Sequence, residues 1–138
     1  MSFAIKTGTT SWRSVSGPAD IQAGEVYAST IYRGDDAVWD DATQTIVAPS
    51  DQQKLDASKA QTISSINIEA SRRIIASYPL EKQSSANLGI YPQTYTDKMI
   101  IDIAAVIQAS NDACDSVLAA VDIAGVEAVT VNWPVIGV

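Results

Sequence analysis

Histidine is absent, which leaves paired carboxylates or a lysine base as the remaining route to enzyme chemistry. Without imidazole neither a Ser-His-Asp nor a Cys-His nucleophile can be assembled, and the usual His/Cys zinc sets cannot form. The densest acidic cluster is Asp35, Asp36, Asp40 and Asp41. Carboxylates so close together could hold calcium, but the D-x-D-x-D-G order of a known loop is missing, and a solvated turn is expected. The same cluster is the one starting point for paired-carboxylate chemistry, and nothing around it builds a pocket. Arg33-Gly34-Asp35 spells a cell-adhesion tripeptide, which at three residues reads as a charged turn. Cys114 lies on an apolar helical stripe with no basic neighbour to lower its pKa, the setting of a buried, inert thiol. Trp12, Tyr27, Tyr32 and Trp39 could stack on a sugar or a base; as residues of a small sheet they would form its core or a subunit contact. No catalytic residue, metal ligand or cofactor is expected.

The adjacent arginines Arg72 and Arg73 sit inside an apolar helical run, INIEASRRII. Neighbours on a helix point about 100° apart, so one can face a partner while the other faces water. Glu69 precedes them by three and four residues, in the favourable acid-before-base order. A phosphate site would sit at a helix N-terminus, and these residues are mid-helix. A surface ion pair with packed stems, or a contact between subunits, is therefore expected.

The elements that hold these groups follow from pattern and punctuation. Residues 1–48 read as a small β module. Its strands are Ala4–Thr7, Ser11–Ser16, the β-branched and aromatic run Glu25–Tyr32, Ala37–Trp39 and Thr45–Ala48, with Gly17-Pro18 and Arg33-Gly34-Asp35-Asp36 as turns. Residues 49–138 read as a helical hairpin with a C-terminal strand or tail. Ser50 and Gln53 form a capping box that starts the first helix, and Tyr78-Pro79 ends it. Pro79 opens a short helix to Leu88, closed by Gly89. Thr94 or Thr96 is expected to cap a second long helix, with Asp97 near its positive end. Its apolar seam is Ile100, Ile103, Ala104, Ile107, Cys114, Val117, Leu118 and Val121, interrupted by Ser110 and Asn111. Gly125 is expected to stop it, and Glu127–Val131 to form a strand. The fold class is thus α+β: an antiparallel β module, a long α-helical hairpin and a short extended tail. A thin sheet and two long helices suggest that another chain completes the seam.

With 138 residues and 46% hydrophobic composition, the chain can bury a core of one domain or two very small ones. A net charge of −7 removes the basic face that nucleic acid or an anionic membrane requires. The single cysteine excludes an internal disulfide framework. The N-terminus lacks the pattern of a signal peptide, and no run of about 18 apolar residues suggests a membrane span.

Several spaced residues carry a resemblance. Ile66-Asn67-x-Glu69-Ala70-x-Arg72-Arg73-Ile74, then Tyr78-Pro79-Leu80-x-Lys82-Gln83 and Asn87-Leu88, resembles a segment of bacteriophage tail proteins in which an "IN-x-EA-x-RRI" helix runs into a "P-x-WKQ-x-N" element. Met99, Ile107, Ala109, Ser110 and Asn111 match the order of a following methionine-led, "I-x-x-ASN" helix, and Trp133-Pro134 falls near the end as in those tails. Trp12-Arg13-Ser14-Val15 and Gly24-Glu25-Val26-Tyr27 are similar to the "WR-x-V…GE" start of short fibre and fibre-associated proteins. Leu80-Glu81 departs from the pattern, standing where an aromatic residue is usual.

The resemblance implies a non-enzymatic structural protein of the virion, synthesised in the host cytoplasm and placed at the tail fibre or baseplate. Its partners would be other fibre or baseplate subunits, in a homo- or hetero-oligomer, with no nucleic acid and no membrane. Trp12, Tyr27, Arg72, Arg73, Tyr78, Lys82, Ile100, Ile107, Leu118 and Trp133 are the expected interface. Two alternatives stand beside it: a tail-fibre assembly chaperone absent from the particle, and a module that binds glycans of the host surface.

Overall fold

Phe3, Ala4 and Ile5 are consecutive and all buried, which requires cover on both faces of the strand that carries them. A computed structural model describing all residues, 1–138, shows how. Strand β1 (Ser2–Lys6) is the centre of a three-stranded antiparallel sheet, flanked by β2 (Trp12–Val15) and β3 (Glu25–Ala28). The register sets Ile5 against Trp12 on one side and Val26 on the other. A single 3₁₀ turn at Pro18–Asp20 lies between β2 and β3. Strands β4 (Val38–Asp40) and β5 (Thr45–Val47) form a separate hairpin with Trp39 opposite Ile46. Ile5, Ala28 and Ile46 form the core, with Val26, Ile31, Ala37 and Trp39 packed around them. Tyr32 N donates to Ile46 O, so the chain from 29 to 32 is tied to β5 and does not prolong β3 as its composition suggests.

The chain divides into two compact units, Met1–Gln53 and Lys54–Val138. At the junction Gln53 N donates to Ser50 Oγ at 3.1 Å while Gln53 Oε1 accepts from Ser50 N at 2.8 Å, the reciprocal box that the sequence requires. It opens α1 (Asp51–Ser77). Pro79 has no N–H to continue the ladder, and the chain reverses through α2 (Leu80–Asn87). Gly89, at φ +75°, closes α2, with Ile90 N reaching Ser85 O.

The second long helix, α3 (Gln93–Ala119), begins earlier than its threonines suggest. Pro92 is its N-cap, and Tyr95 N bonds Pro92 O, so neither Thr94 nor Thr96 caps it. Asp97 consequently lies beyond the first turn and accepts from Gln93 Nε2. Gly125 does not stop this helix either. Asp122 Oδ1 captures Gly125 N at 2.7 Å, starting a further short helix, α4 (Ile123–Glu127), with Gly125 inside it.

The largest correction concerns the seam of α3. Its buried residues are Met99, Val106, Ser110, Ala113 and Val117. Of the expected positions only Val117 is fully buried; Ile103 and Cys114 are half-buried, while Ile100, Ala104, Ile107, Leu118 and Val121 are exposed. Steps of seven, four, three and four make an unbroken helical stripe, but it passes through a serine and an alanine. Ser110 does not interrupt this seam; its hydroxyl donates to Ile107 O, so burying it leaves nothing unpaired.

Three cross-helix approaches align α1 and α3 antiparallel: Lys59 Nζ to Leu118 O at 2.8 Å, Asn67 Oδ1 to Cys114 Sγ at 3.9 Å, and Tyr78 Oη to Asp102 Oδ2 at 2.5 Å. One cluster, Leu55, Ile66, Ala113, Val117 and Val126, fills the end near α4. Another, Tyr78, Ala86 and Met99, fills the end near α2. The C-terminal residues form no strand. Ala128 N and Val129 N still bond back to α4, and no strand lies alongside. Their alternation is nevertheless real: Val129, Val131 and Trp133 pack on the first cluster, Ile136 on the second, while Thr130 and Asn132 face outward. The partner of this extended segment is helix side chains.

The stripe separates the apolar residues of α3 by energy. Val106→Ala, at a fully buried position, should cost about 2 kcal/mol from lost burial and cavity. Ile101→Ala, on the outside, should stay within about 0.5 kcal/mol. Chemical denaturation of the two variants checks this, and equal costs would reject the stripe.

Candidate functional site

The expected interface residues separate into three groups. In the β unit Trp12 and Tyr27 emerge on opposite faces of the three-stranded sheet, because their partners on β1, Ile5 and Ala4, are consecutive. Trp12 meets Phe3 edge-on with ring centres 5.4 Å apart, and the Arg33 guanidinium lies over both rings, 5.0 Å from Phe3 and 5.3 Å from Trp12. Trp12 remains 42% exposed, so a flat, cation-backed aromatic surface faces outward. Tyr27 Oη is 2.9 Å from Ser2 Oγ. Beside them Arg13 grips Glu25 with two hydrogen bonds, 3.0 and 2.8 Å, and donates a third to Asp20 O. That arginine contact holds the Glu25 carboxyl below its usual pKa, helped by Gln22 N.

The acidic cluster acts locally. Asp36 accepts from Tyr32 Oη, Asp40 from Ala42 N and Thr43 Oγ1, and Asp41 from Gln44 Nε2. The Asp40 and Asp41 bonds shape the β4–β5 turn, where Gln44 takes a left-handed φ of +53°, and the Asp36 bond closes the turn before β4. The bond from Ala42 N to Asp40 is the Asx-type bond that makes aspartate a turn former.

In the helical unit the second group divides: Arg73, Tyr78 and Trp133 turn inward, while Arg72 and Lys82 stay exposed. Glu69 accepts from Arg72 Nε and Nη2, at 2.7 and 2.6 Å, and from Arg73 Nε at 2.7 Å. The Arg72 contact, with Arg73 behind it, pulls the Glu69 carboxyl down to about 2. Arg73 then lies over Trp133, 5.0 Å from the ring centre, so the arginine links α1 to the tail. Tyr78 is only 3% exposed and uses its surface within its own hairpin. Lys82 is exposed on α2, while its neighbour Gln83 donates to Tyr78 O across the break at Pro79.

Tyr78 leads to a residue that sequence reading missed. Asp102 Oδ2 accepts from Tyr78 Oη at 2.5 Å, Lys98 Nζ at 2.7 Å and Gly137 N at 3.1 Å. The end of α1, the body of α3 and the tail thus meet on one carboxylate. Its sequence signal was available: an aspartate between Met99 and Val106, on the buried stripe, demands partners. Lys98, four residues before it, is a local partner; Tyr78 and Gly137 were not legible, since they lie 24 and 35 residues away. Gly137 fits for two reasons: its φ is +77°, and a Cβ there would lie 2.9 Å from the Ser77 side chain.

The third group, Ile100, Ile107 and Leu118, is exposed along one side of α3. Asn67 approaches Cys114 on this side. Burial pushes the Cys114 thiol pKa up, and Asp115 adds to it, which keeps the sulfur protonated at neutral pH.

No family model matches the chain, and no curated protein or solved structure matches it either. No helix is long and apolar enough to cross a membrane.

The Asp102 junction makes stability depend on pH at both extremes. Lys98, then Tyr78, hold the Asp102 carboxyl at about 2 against 3.8 unfolded, so its contribution is complete above about pH 4 and lost as pH falls through 2. Burial, then the hydrogen bond to Asp102, push Tyr78 up to about 12 against 10.0, so its contribution is complete below about pH 10 and lost as pH rises through 12. Asp102→Asn should lower Tm at neutral pH, and the gap to wild type should close towards pH 2. A gap constant from pH 7 to pH 2 in thermal scans would deny the junction this role.

Proposed function

We propose that the protein is a structural component of a bacteriophage tail, part of or attached to the fibre or baseplate, where it mediates subunit assembly and attachment. The observation that carries this reading is the residue series Ile66-Asn67, Glu69-Ala70, Arg72-Arg73-Ile74, Tyr78-Pro79 and Lys82-Gln83, which resembles the helix-and-turn segment of phage tail proteins. Physical placement supports it. Glu69, Arg73 and Trp133 form a packing chain between helix and tail, and Tyr78 and Gln83 brace the reversal at Pro79.

Two units suit two tasks. The β unit offers Trp12 and Arg33 as an outward aromatic and cationic patch of the kind that anchors protein contacts. The helical unit keeps a side of α3 lined by Ile100, Ile107 and Leu118. In this reading the first attaches and the second assembles.

Mass spectrometry of purified virions tests the assignment. The chain should be found in the particle at a fixed ratio to known tail proteins. Presence in the infected-cell lysate with absence from the particle would instead identify an assembly chaperone.

A further inference from the structure

We propose that the open side of the hairpin binds a second copy of this chain, closing a four-helix bundle about a two-fold axis parallel to the helices. This deepens the assembly reading by naming the partner and the face, and its test does not require the chain to be a virion protein.

The two sides of the hairpin differ. One is covered by the tail: Trp133 stacks under Arg73, Gly137 N reaches Asp102, and Asp112 shares a hollow with Thr130, Asn132 and Pro134. The other is the side on which Asn67 and Cys114 approach, and it carries apolar groups exposed to solvent. On α3 these form a ridge: Ile107 and Leu118 are 46% and 60% exposed, with Ile100 two turns before Ile107. On α1 the same side is a shallow groove lined by Ala60, Ile63, Ser64, Asn67, Ile68 and Ser71.

Charge favours self-association here. Between Ala60 and Ile74 the charged residues are Glu69, Arg72 and Arg73; between Ile100 and Leu118 they are Asp102, Asp112 and Asp115. Arg73, Asp102 and Asp112 face the tail, with Glu69 bound to Arg73. Arg72 and Asp115 stand two residues from buried Ala70 and Val117, hence about 200° round, on the outer backs of their helices. A chain of net charge −7 repels its own copies through most of its surface; on this face the nearby cation, Lys59, is taken up by Leu118 O of its own chain, and the copies meet without opposing carboxylates.

The shape is self-complementary as well. An isologous contact requires a face to carry both halves of its own fit. Here the ridge on α3 and the groove on α1 lie side by side, so a two-fold axis parallel to the helices sets each ridge on the other copy's groove, antiparallel. Such an axis leaves every residue at its own height. Contacts aligning the helices within one copy therefore also set the register between copies. Lys59 Nζ bonds Leu118 O, so Leu118 of one copy falls on Ala60 and Ser64 of the other. The Asn67–Cys114 approach, continued two turns along both helices, brings Ile107 to Ser71 and Ile74. Leu118 meets Ala60 and Ser64, and Ile107 meets Ser71 with Ile74 beside it, so the ridge enters the groove at its small residues.

The geometry makes a specific demand. Ser64→Arg puts a charge in the groove, and Leu118→Asp puts one on the ridge; both sites are exposed, so the fold should persist in circular dichroism. In analytical ultracentrifugation of the full chain, wild type should sediment at about twice 14.6 kDa, and each variant alone at the single-chain mass. An equimolar mixture of the two variants should regain the doubled mass. In the mixed pair the guanidinium introduced by Ser64→Arg on one copy meets the carboxylate introduced by Leu118→Asp on the other, while the second contact is wild type. A monomeric wild type at about 100 µM, a concentration at which contacts of useful affinity are populated, overturns the proposal. Variants that stay dimeric, or a mixture that stays monomeric, overturn it equally.

Discussion

Three donors from three parts of the helical unit converge on one oxygen of Asp102. Tyr78 arrives from the end of α1, Lys98 from the preceding turn of α3, and Gly137 from the tail. A half-buried carboxylate is costly unless its hydrogen bonds are made, and here the bonds it needs are also the ones that fix the fold. The break at Pro79 lets the chain reverse, but it leaves the angle between the helices free. Tyr78 binding to Asp102 sets the height at which α3 returns. The Gly137 amide then holds the tail down the covered side, and Trp133 and Ile136 bury against the two ends of the hairpin.

That anchoring explains why one side of the hairpin is closed and the other open. The tail has one polar attachment at its end and one aromatic attachment at Arg73, both on the same side. It has apolar residues enough for one face. The opposite side keeps Ile100, Ile107 and Leu118 in water, a cost that a packed helical layer ordinarily removes by a second layer. The arginine pair belongs to the same logic. Glu69 holds both guanidinium groups, Arg72 outward and Arg73 over Trp133, so the pair orients a helix against its covering segment.

The β unit is organised differently. Its core is small, built on Ile5, Ala28 and Ile46, and most of its large aromatic residues lie outside it. Trp12 would be expected to fill such a core, yet Phe3 is the ring that is buried and Trp12 leans on its edge. The reason is register. Phe3 is on the central strand and buried, whereas Trp12 begins an edge strand and stays 42% exposed. Asp40 and Asp41 are absorbed by the turn between β4 and β5, and Asp36 by Tyr32 before it.

Local chemistry was legible in the chain, and long-range choice was not. The capping box at Ser50 and Gln53, the end of α1 at Pro79, the closure of α2 by Gly89, the Glu69–arginine pairs and the α+β class all follow from contacts within a few residues, where propensity and hydrogen bonding decide. What failed depends on distant partners. Glu127 to Val131 reads like a strand, but Glu127 ends α4. The extended residues after it are a strand only if another backbone lies beside them, and here helices do. The seam of α3 slipped by one position because isoleucines outnumber the small residues on the true stripe, and a one-residue step on a helix is 100°. Only the approach of α1, set by Tyr78, Asp102 and Lys59, decides that Ser110 and Ala113 go inside while Ile107 and Leu118 stay out.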